Sequence, residues 1–250
     1  VVKYNFLVAP DFAPDRFGGW HMFNSLLQAR SGLHLHLLMP ASAQEEAEFI
    51  EGGSVDLIYA NPFDAAGLIR DKGFRAFARP VGKADEMVVA TAAESPLQRL
   101  EDLKPGQRIA LTDNHDVKLI GLRLLEAADL SEADLQWNLV GSHQAAARLT
   151  IKGEADAAFF LADIYHGLSR ITRSQMKVLI ESKIHVITHV LLAHPRIHDQ
   201  IPQISAALTG IGLYGKDQEV LEALGLPKGF EIMDAEDAEF MVDLMDTLLD

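Results

Sequence analysis

Short β-rich runs alternate along this chain with helical segments of about ten residues, and no other feature narrows the fold as far. Residues 4–9 form the first such run, which ends at Pro10. A turn-rich stretch leads to a helix with Trp20, Phe23, Leu26 and Leu27 at helical spacing, stopped by Ser31-Gly32. Residues 33–39 alternate, with Leu33, Leu35 and Leu37 on one side and His34 and His36 on the other, which predicts a strand. Ser42-x-x-Glu45 is a capping-box pattern that opens a helix to Ile50, closed by Gly52-Gly53. Residues 55–60 are a buried strand, and Asn61-Pro62 caps and starts a helix through Ile69. Further strands are predicted at 74–81, 87–91, 108–112, 157–161, 178–180 and 185–192. Further helices are predicted at 95–103, 118–128 and 144–151, with a largely helical tail from Pro195. Strands joined by helices of this length need crossover connections, so an α/β fold with parallel sheets and helices on their faces is expected.

The 250 residues exceed the usual size of one core, so one large or two modest lobes are expected. An internal echo bears on this. Gly53-x-x-Asp56 before an apolar strand returns as Gly153-x-x-Asp156, and each strand is followed by a capping residue, Asn61 or Asp163, and another helix. Ordinary turn chemistry and two lobes of similar build both explain it. With 22 Lys and Arg against 36 Asp and Glu the formal charge is −14. That argues against general affinity for nucleic acid or anionic membrane, which needs clustered cations. No run of about 18 apolar residues is present to span a bilayer. The lack of Cys removes disulfides, thiolate nucleophiles, iron–sulfur clusters and Cys-type zinc sites. The opening residues already read as a strand and not a leader, so the chain is expected to be mature, trimmed or cytoplasmic.

In parallel α/β sheets ligands sit beyond the carboxyl ends of the strands, where helix N-termini aim N–H groups. That rule selects residues 10–12, 60–63, 113–118, 141–143 and 162–165, whose polar members are Asp11, Asn61, Asn114, His115, Asp116, Lys118, Ser142, His143 and Asp163. Asn61, Ser142 and Asp163 suit helix caps, although one residue can cap and also contact a ligand. His115 and His143 are better site candidates, since His caps poorly and its ring can hydrogen-bond an anion. The His34/His36 and His185/His189 pairs read as polar strand faces rather than metal ligands. Pro195 between His194 and His198 breaks any HExxH geometry, so no metal is expected. No Gly-x-Ser-x-Gly, Walker or Gly-x-Gly-x-x-Gly signature occurs, and Asp113 and Asp116 near a helix start fit the macrodipole without catalysis.

Three stretches carry a family resemblance: Gly53-x-x-Asp56-Leu57-Ile58; Val88 to Ala110, containing Ser95-Pro96-Leu97 and Asp102-Leu103-Lys104; and Gly141-Ser142-His143 leading to Gly153-x-x-Asp156. In order, they resemble type 2 periplasmic binding proteins, specifically the phosphonate/phosphite (PhnD-like) substrate-binding family of ABC transporters. The resemblance covers nearly the whole chain. It implies a two-lobed fold with a two-strand hinge, one lobe from residues 1–84 and 190–250 and the other from 85–189, and a ligand cleft between them that closes by hinge motion. It also implies that His143 is the family's phosphonyl-binding His. The family's Ser-Thr-Ser-Gly turn is replaced by Asn114-His115-Asp116-Val117, and an acidic Asp116 there would repel a dianion unless Lys118 or His115 offsets it. The family's pocket aromatics are replaced near Ala43 and Ala60, with Tyr59 and Phe63 standing close by.

The leading expectation is thus a solute-binding protein for a small polar ligand, oxyanion-like or of altered specificity, with no cofactor. It would act in the periplasm or another extracytoplasmic space, with an ABC permease or a sensor protein as partner. Ligand contacts are expected from His143, Asn114, His115, Asp116, Lys118, Asn61, Phe63, Tyr59, Asp11, Ser142 and Asp163. A second expectation is a cytoplasmic enzyme on the same fold, similar to those of the futalosine route to menaquinone, with His143 or His115 as general base. A third is an interaction domain whose binding site has decayed.

Overall fold

The computed structural model describes residues 2–249, so Val1 and Asp250, the outer limits of the expected first lobe, lie outside the described residues. The chain divides into two units, one holding the described residues up to Ala84 together with Ile187–Thr247, the other Asp85–Val186 with Leu248 and Leu249.

In the first unit the chain runs β1 (Lys3–Val8), α1 (Phe17–Ser31), β2 (His34–Leu38), α2 (Ala43–Glu51), β3 (Leu57–Ala60), α3 (Pro62–Lys72) and β4 (Arg75–Pro80). The second unit contains β5 (Met87–Ala92), β6 (Arg108–Leu111), α4 (His115–Glu126), β7 (Gln136–Leu139), α5 (His143–Ile151), β8 (Ala157–Leu161), α6 (Ala162–Gly167), α7 (Arg170–Ser174) and β9 (Met176–Glu181). The chain then adds β10 (Val190–Ala193), α8 (Ile201–Thr209), α9 (Gly215–Leu224), β11 (Phe230–Ile232) and α10 (Ala235–Leu249).

The first sheet has the order β11-β4-β10-β3-β1-β2 and the second β7-β6-β8-β5-β9. Neither is purely parallel. β1 is parallel to β2 and β3, but β10 runs antiparallel between β3 and β4, and β11 antiparallel to β4. In the second sheet β6 is parallel to β7 and β8, while β5 is antiparallel to β8 and β9. The parallel expectation therefore holds for the strand–helix–strand repeats and fails at β5 and β10, which follow a passage from the other unit, and at β11, which runs antiparallel to β4. Successive side chains of a strand face opposite ways, so Phe6 and Val8 join one apolar core with residues of α1, α8 and α9, while Leu7 and Ala9 join a second with residues of α3 and α10.

The capping signals act as read. Ser42 Oγ accepts from Glu45 N at 3.2 Å, and the Glu45 carboxylate accepts from Ala41 N at 2.6 Å, one residue earlier than the usual reciprocal bond. α1 ends at Gly32, whose φ of +70° suits glycine. Four expectations are corrected. Residues 95–103 form only a 3₁₀ turn at Leu100–Asp102, because the Asp102 carboxylate takes the N–H groups of Gln98 and Arg99 and closes the turn on itself. α4 begins at His115 rather than 118. The strand expected over 185–192 is confined to β10: His185 has a φ of +62°, and its N–H and that of Ile184 bond the Glu86 carboxylate (2.8 and 3.0 Å) instead of a neighbouring strand. β7 and β11 were not expected, being short edge strands without β-branched runs.

The Gly-x-x-Asp echo resolves into one device used twice. Asp56 Oδ2 accepts from Asn5 N at 2.7 Å while Asp56 N donates to Asn5 O at 3.0 Å, which fixes the start of β3 against β1. Asp156 Oδ2 accepts from Arg108 N at 2.7 Å while Asp156 N donates to Arg108 O at 2.8 Å, which does the same for β8 against β6. Each carboxylate also binds a guanidinium that reaches back to the glycine: Arg196 to Gly53 O at 2.8 Å, Arg108 to Gly153 O at 2.9 Å. The echo therefore sets strand register and is not itself a ligand motif.

Burial pushes the Asp156 carboxyl up, but hydrogen bonds from the Arg108 side chain and backbone and the Arg108 charge outweigh it and hold the group below its ordinary value. A carboxyl depressed in the folded state adds stability above its unfolded value near 3.9, and that stability is lost as pH falls through the folded value. Asp156→Asn should cost about 1–2 kcal/mol at pH 7, with the deficit shrinking once pH falls below the unfolded value near 3.9 and through the lower folded one. Urea melts of both proteins between these pH values check it, and a deficit independent of pH would remove the charge from the explanation.

Candidate functional site

In the first unit the pairing of Val190 with Ala60 brings His189, just before β10, beside Asn61, just after β3. Asn61 caps α3, its Oδ1 accepting from Asp64 N at 3.0 Å. Its amide nitrogen donates to Asp64 Oδ2 at 2.7 Å and to Asp11 Oδ2 at 3.2 Å. Asp11 Oδ2 also lies 3.2 Å from His189 Nε2, with both side chains about 95 % buried (relative exposure 5 % and 6 %). With Asp11 ionised, His189 must present Nε2–H to it. The imidazole stacks on Tyr59 at 5.2 Å, Tyr59 packs on Trp20 at 4.8 Å, and Phe63 is buried in the first turn of α3. This unit thus sets a charged, hydrogen-bonded group at its strand tips with an aromatic backing.

In the second unit Ser142 caps α5, accepting from Ala145 N at 3.1 Å, and so places His143 as the first helical residue. The imidazole is buried and lies 6.1 Å from the Phe160 ring. Thr112, at the end of β6, donates to Asn114 Oδ1 at 2.6 Å and lies 3.4 Å from His143 Nε2. A hydroxyl has one proton, so a Thr112 that donates to Asn114 accepts from His143, and Nε2 carries the hydrogen. Asn114 occupies the N-cap position of α4 but makes no capping bond with its side chain, which is turned to Thr112. Asp116 is fully buried two residues on, Oδ1 accepting from Val117 N at 2.8 Å. The group joins the first turns of two helices, where N–H groups and partial positive charge favour an anion.

The remaining candidates are placed differently. The Lys118 ammonium bonds Glu132 and lies 5.3 Å from the Trp137 ring centre, so its charge is drawn there. His115 is exposed at the first position of α4. Asp163 is exposed in the first turn of α6, where Leu161 and not Asp163 occupies the capping position, so its expected capping role is corrected. Two residues joined to these groups are not among the site candidates that the sequence offers, and His189 reads there as part of a polar strand face. His189 is no strand-face residue but a buried partner of Asp11, and Thr112 looked like the last residue of a strand. Nothing local marks either one, because both are assembled by strand pairing. Among the described residues no group of His, Cys, Asp or Glu could hold a metal ion, and no helix is long and apolar enough to cross a membrane.

Solved structures share the fold across the chain. PhnD1 from Prochlorococcus marinus, in complex with methylphosphonate, is similar with a TM-score of 0.81 at 13 % identity, over 99 % of this chain and 98 % of that one. A binding protein component of an ABC phosphonate transporter from Pseudomonas aeruginosa has a TM-score of 0.78 at 15 % identity, covering 99 % and 89 %. The alkanesulfonate-binding protein SsuA from Xanthomonas axonopodis pv. citri, bound to MOPS, has a TM-score of 0.73 at 17 % identity, covering 100 % and 94 %. At such identities the likeness shows the fold, that of periplasmic binding proteins. No curated protein sequence matches this one. The family model for the ABC transporter, phosphonate, periplasmic substrate-binding protein matches residues 6–238. Nearly the whole length is thereby accounted for, and the chain belongs to the phosphonate substrate-binding proteins of ABC transporters.

Proposed function

We propose that the ligand is a small alkylphosphonate or phosphite in its singly charged form, held by His143, Asn114, Ser142 and Thr112 at the first turns of α4 and α5. The observation that carries this reading is the linkage of Thr112 to both Asn114 and His143 at two helix N-termini. Asp116 sets the charge state. A buried carboxylate near the phosphonyl oxygens disfavours a dianion but accepts a hydrogen bond from a P–OH, a donor that a sulfonate lacks. In the first unit Asn61, Asp11, Tyr59 and Phe63 are proposed as ligand contacts, joined by His189; the Asp11 carboxylate there suits a ligand group that donates hydrogen bonds or carries positive charge. His115, Lys118 and Asp163 are proposed as a weaker electrostatic fringe. The family supports a periplasmic location and an ABC permease as the receiving partner, and the comparisons lend nothing to the enzyme reading.

The test is a thermal-shift panel of methylphosphonate, 2-aminoethylphosphonate, phosphite, phosphate and methanesulfonate. Phosphonates or phosphite should raise the melting temperature by several degrees, methanesulfonate by much less. An equal rise with methanesulfonate would remove Asp116 from recognition, and no rise with any phosphorus oxyanion would remove the phosphonate reading.

A further inference from the structure

A cavity of about 770 Å³ opens in the first unit at the start of β4, within the size range of small-ligand sites. Five consecutive residues, Gly73 to Phe77, form one wall, with Ile201 of α8 and Ala238 and Val242 of α10 among the others. The reason for the opening is in the strand pairing. β11 pairs β4 at Pro80, Arg79 and Ala78, Met233 N closes on Phe77 O at 2.9 Å, and the chain then turns into α10. β4 continues to Arg75, where β10 still pairs it on the far side. Arg75 and Ala76 therefore have no strand neighbour on the side that β11 covers further along.

The walls come from both apolar cores of this unit. Phe77 and Ile201 belong to one, and Phe74, Ala76, Met233, Ala238 and Val242 to the other. The cavity thus wraps the edge of the sheet, with apolar surface above and below it. A compact apolar molecule has no need of such a shape, whereas an extended peptide presents alternate side chains to the two faces of a sheet. Arg75 is exposed and has no ion-pair partner among the described residues. On the same rim the Asp234 carboxylate caps α10, accepting from Asp237 N at 2.8 Å, and Glu239 is exposed.

We propose that this slot binds a short extended apolar peptide, added to the edge of β4 in line with β11. Its main chain bonds the Arg75–Ala76 segment, its side chains enter the two cores alternately, and a carboxylate at one end meets Arg75. This is strand addition at an exposed sheet edge, in which main-chain bonds give affinity and the flanking pockets give sequence preference. It is a second site, independent of the anion-binding reading.

The test is a titration of the ¹⁵N-labelled chain with the peptide acetyl-Leu-Val-Leu carrying a free carboxylate. Saturable shifts should appear in the amides of residues 74–77 and 232–234. N-methylation of the peptide's central residue should weaken binding by about tenfold, the loss of one to two main-chain hydrogen bonds. Amidating its carboxylate should weaken binding to the natural chain but not to Arg75→Gln, and Ala238→Trp should block the slot while leaving a cooperative unfolding transition. Equal binding of the N-methylated peptide, equal shifts with octanoate, or no saturable shift at millimolar peptide would each overturn the proposal. Should Ala238→Trp fail to fold, the N-methyl comparison on the natural chain decides alone.

Discussion

His143→Ala is expected to lower affinity for the phosphonate that the thermal panel identifies by about 10- to 100-fold, the range set by losing one charge-assisted hydrogen bond worth about 1.5–3 kcal/mol, donated by Nδ1–H of a ring that is doubly protonated in the complex while its Nε2–H stays on Thr112. The ring sits at the first position of α5, where Ser142 has already fixed the helix start. Its removal leaves the cap and the strand pairing intact. The ligand-free melting temperature should therefore fall by little while the ligand-induced rise nearly disappears. Thr112→Val, which keeps the shape but cannot accept from Nε2, should give a smaller loss of the same kind, because the imidazole then lacks the group that sets its proton. Isothermal titration of the three proteins measures both effects. Unchanged affinity in His143→Ala would place the oxyanion elsewhere, whatever the family pattern implies.

The largest expected effect on stability comes from a methyl group at position 19. A Cβ on Gly19 would lie 2.4 Å from the carbonyl oxygen of Ala223 and 2.6 Å from its carbon. Those are backbone atoms of α9, so no side-chain rotation relieves the contact, and α1 and α9 would have to separate. Trp20 and Phe23 on α1 and Val220, Leu221 and Leu224 on α9 share the core that such a shift would open. Gly19→Ala should destabilise the protein by about 3 kcal/mol, the upper part of the usual overpacking range. The adjacent Gly18 is the control, since a Cβ there meets nothing within 4 Å. Gly18→Ala should be neutral or stabilise the helix by up to about 1 kcal/mol. Opposite signs at neighbouring positions, read from denaturant midpoints at equal m-values, would verify the close approach. Equal effects would refute it.

Much of the architecture could be read before any coordinates. Alternation of strand and helix, the Asn61 and Ser142 caps, the Gly32 stop and the mixture of Leu-in and His-out on β2 are local signals, each settled by a few neighbouring residues. The binding candidates at strand tips were legible for the same reason, as the residues between a strand end and the next helix. Errors gathered where a distant group overrode the local pattern. Glu86 draws the N–H groups of Ile184 and His185 out of the strand that their apolar neighbours suggested, and Asp102 closes a turn where helical spacing alone pointed to a helix.

Fold class, the helix starts beside Ser42, Asn61 and Ser142 and the stop at Gly32 are legible in the chain itself, because they rest on periodicity and capping within about ten residues. Folding alone brings His189 to Asp11, sets Thr112 against His143, and commits Lys118 to Glu132 and Trp137. These pairs are 178, 31, 14 and 19 residues apart in the chain, the last by subtracting 118 from 137. They meet through strand order and loop placement, and no local pattern encodes which distant side chain will arrive.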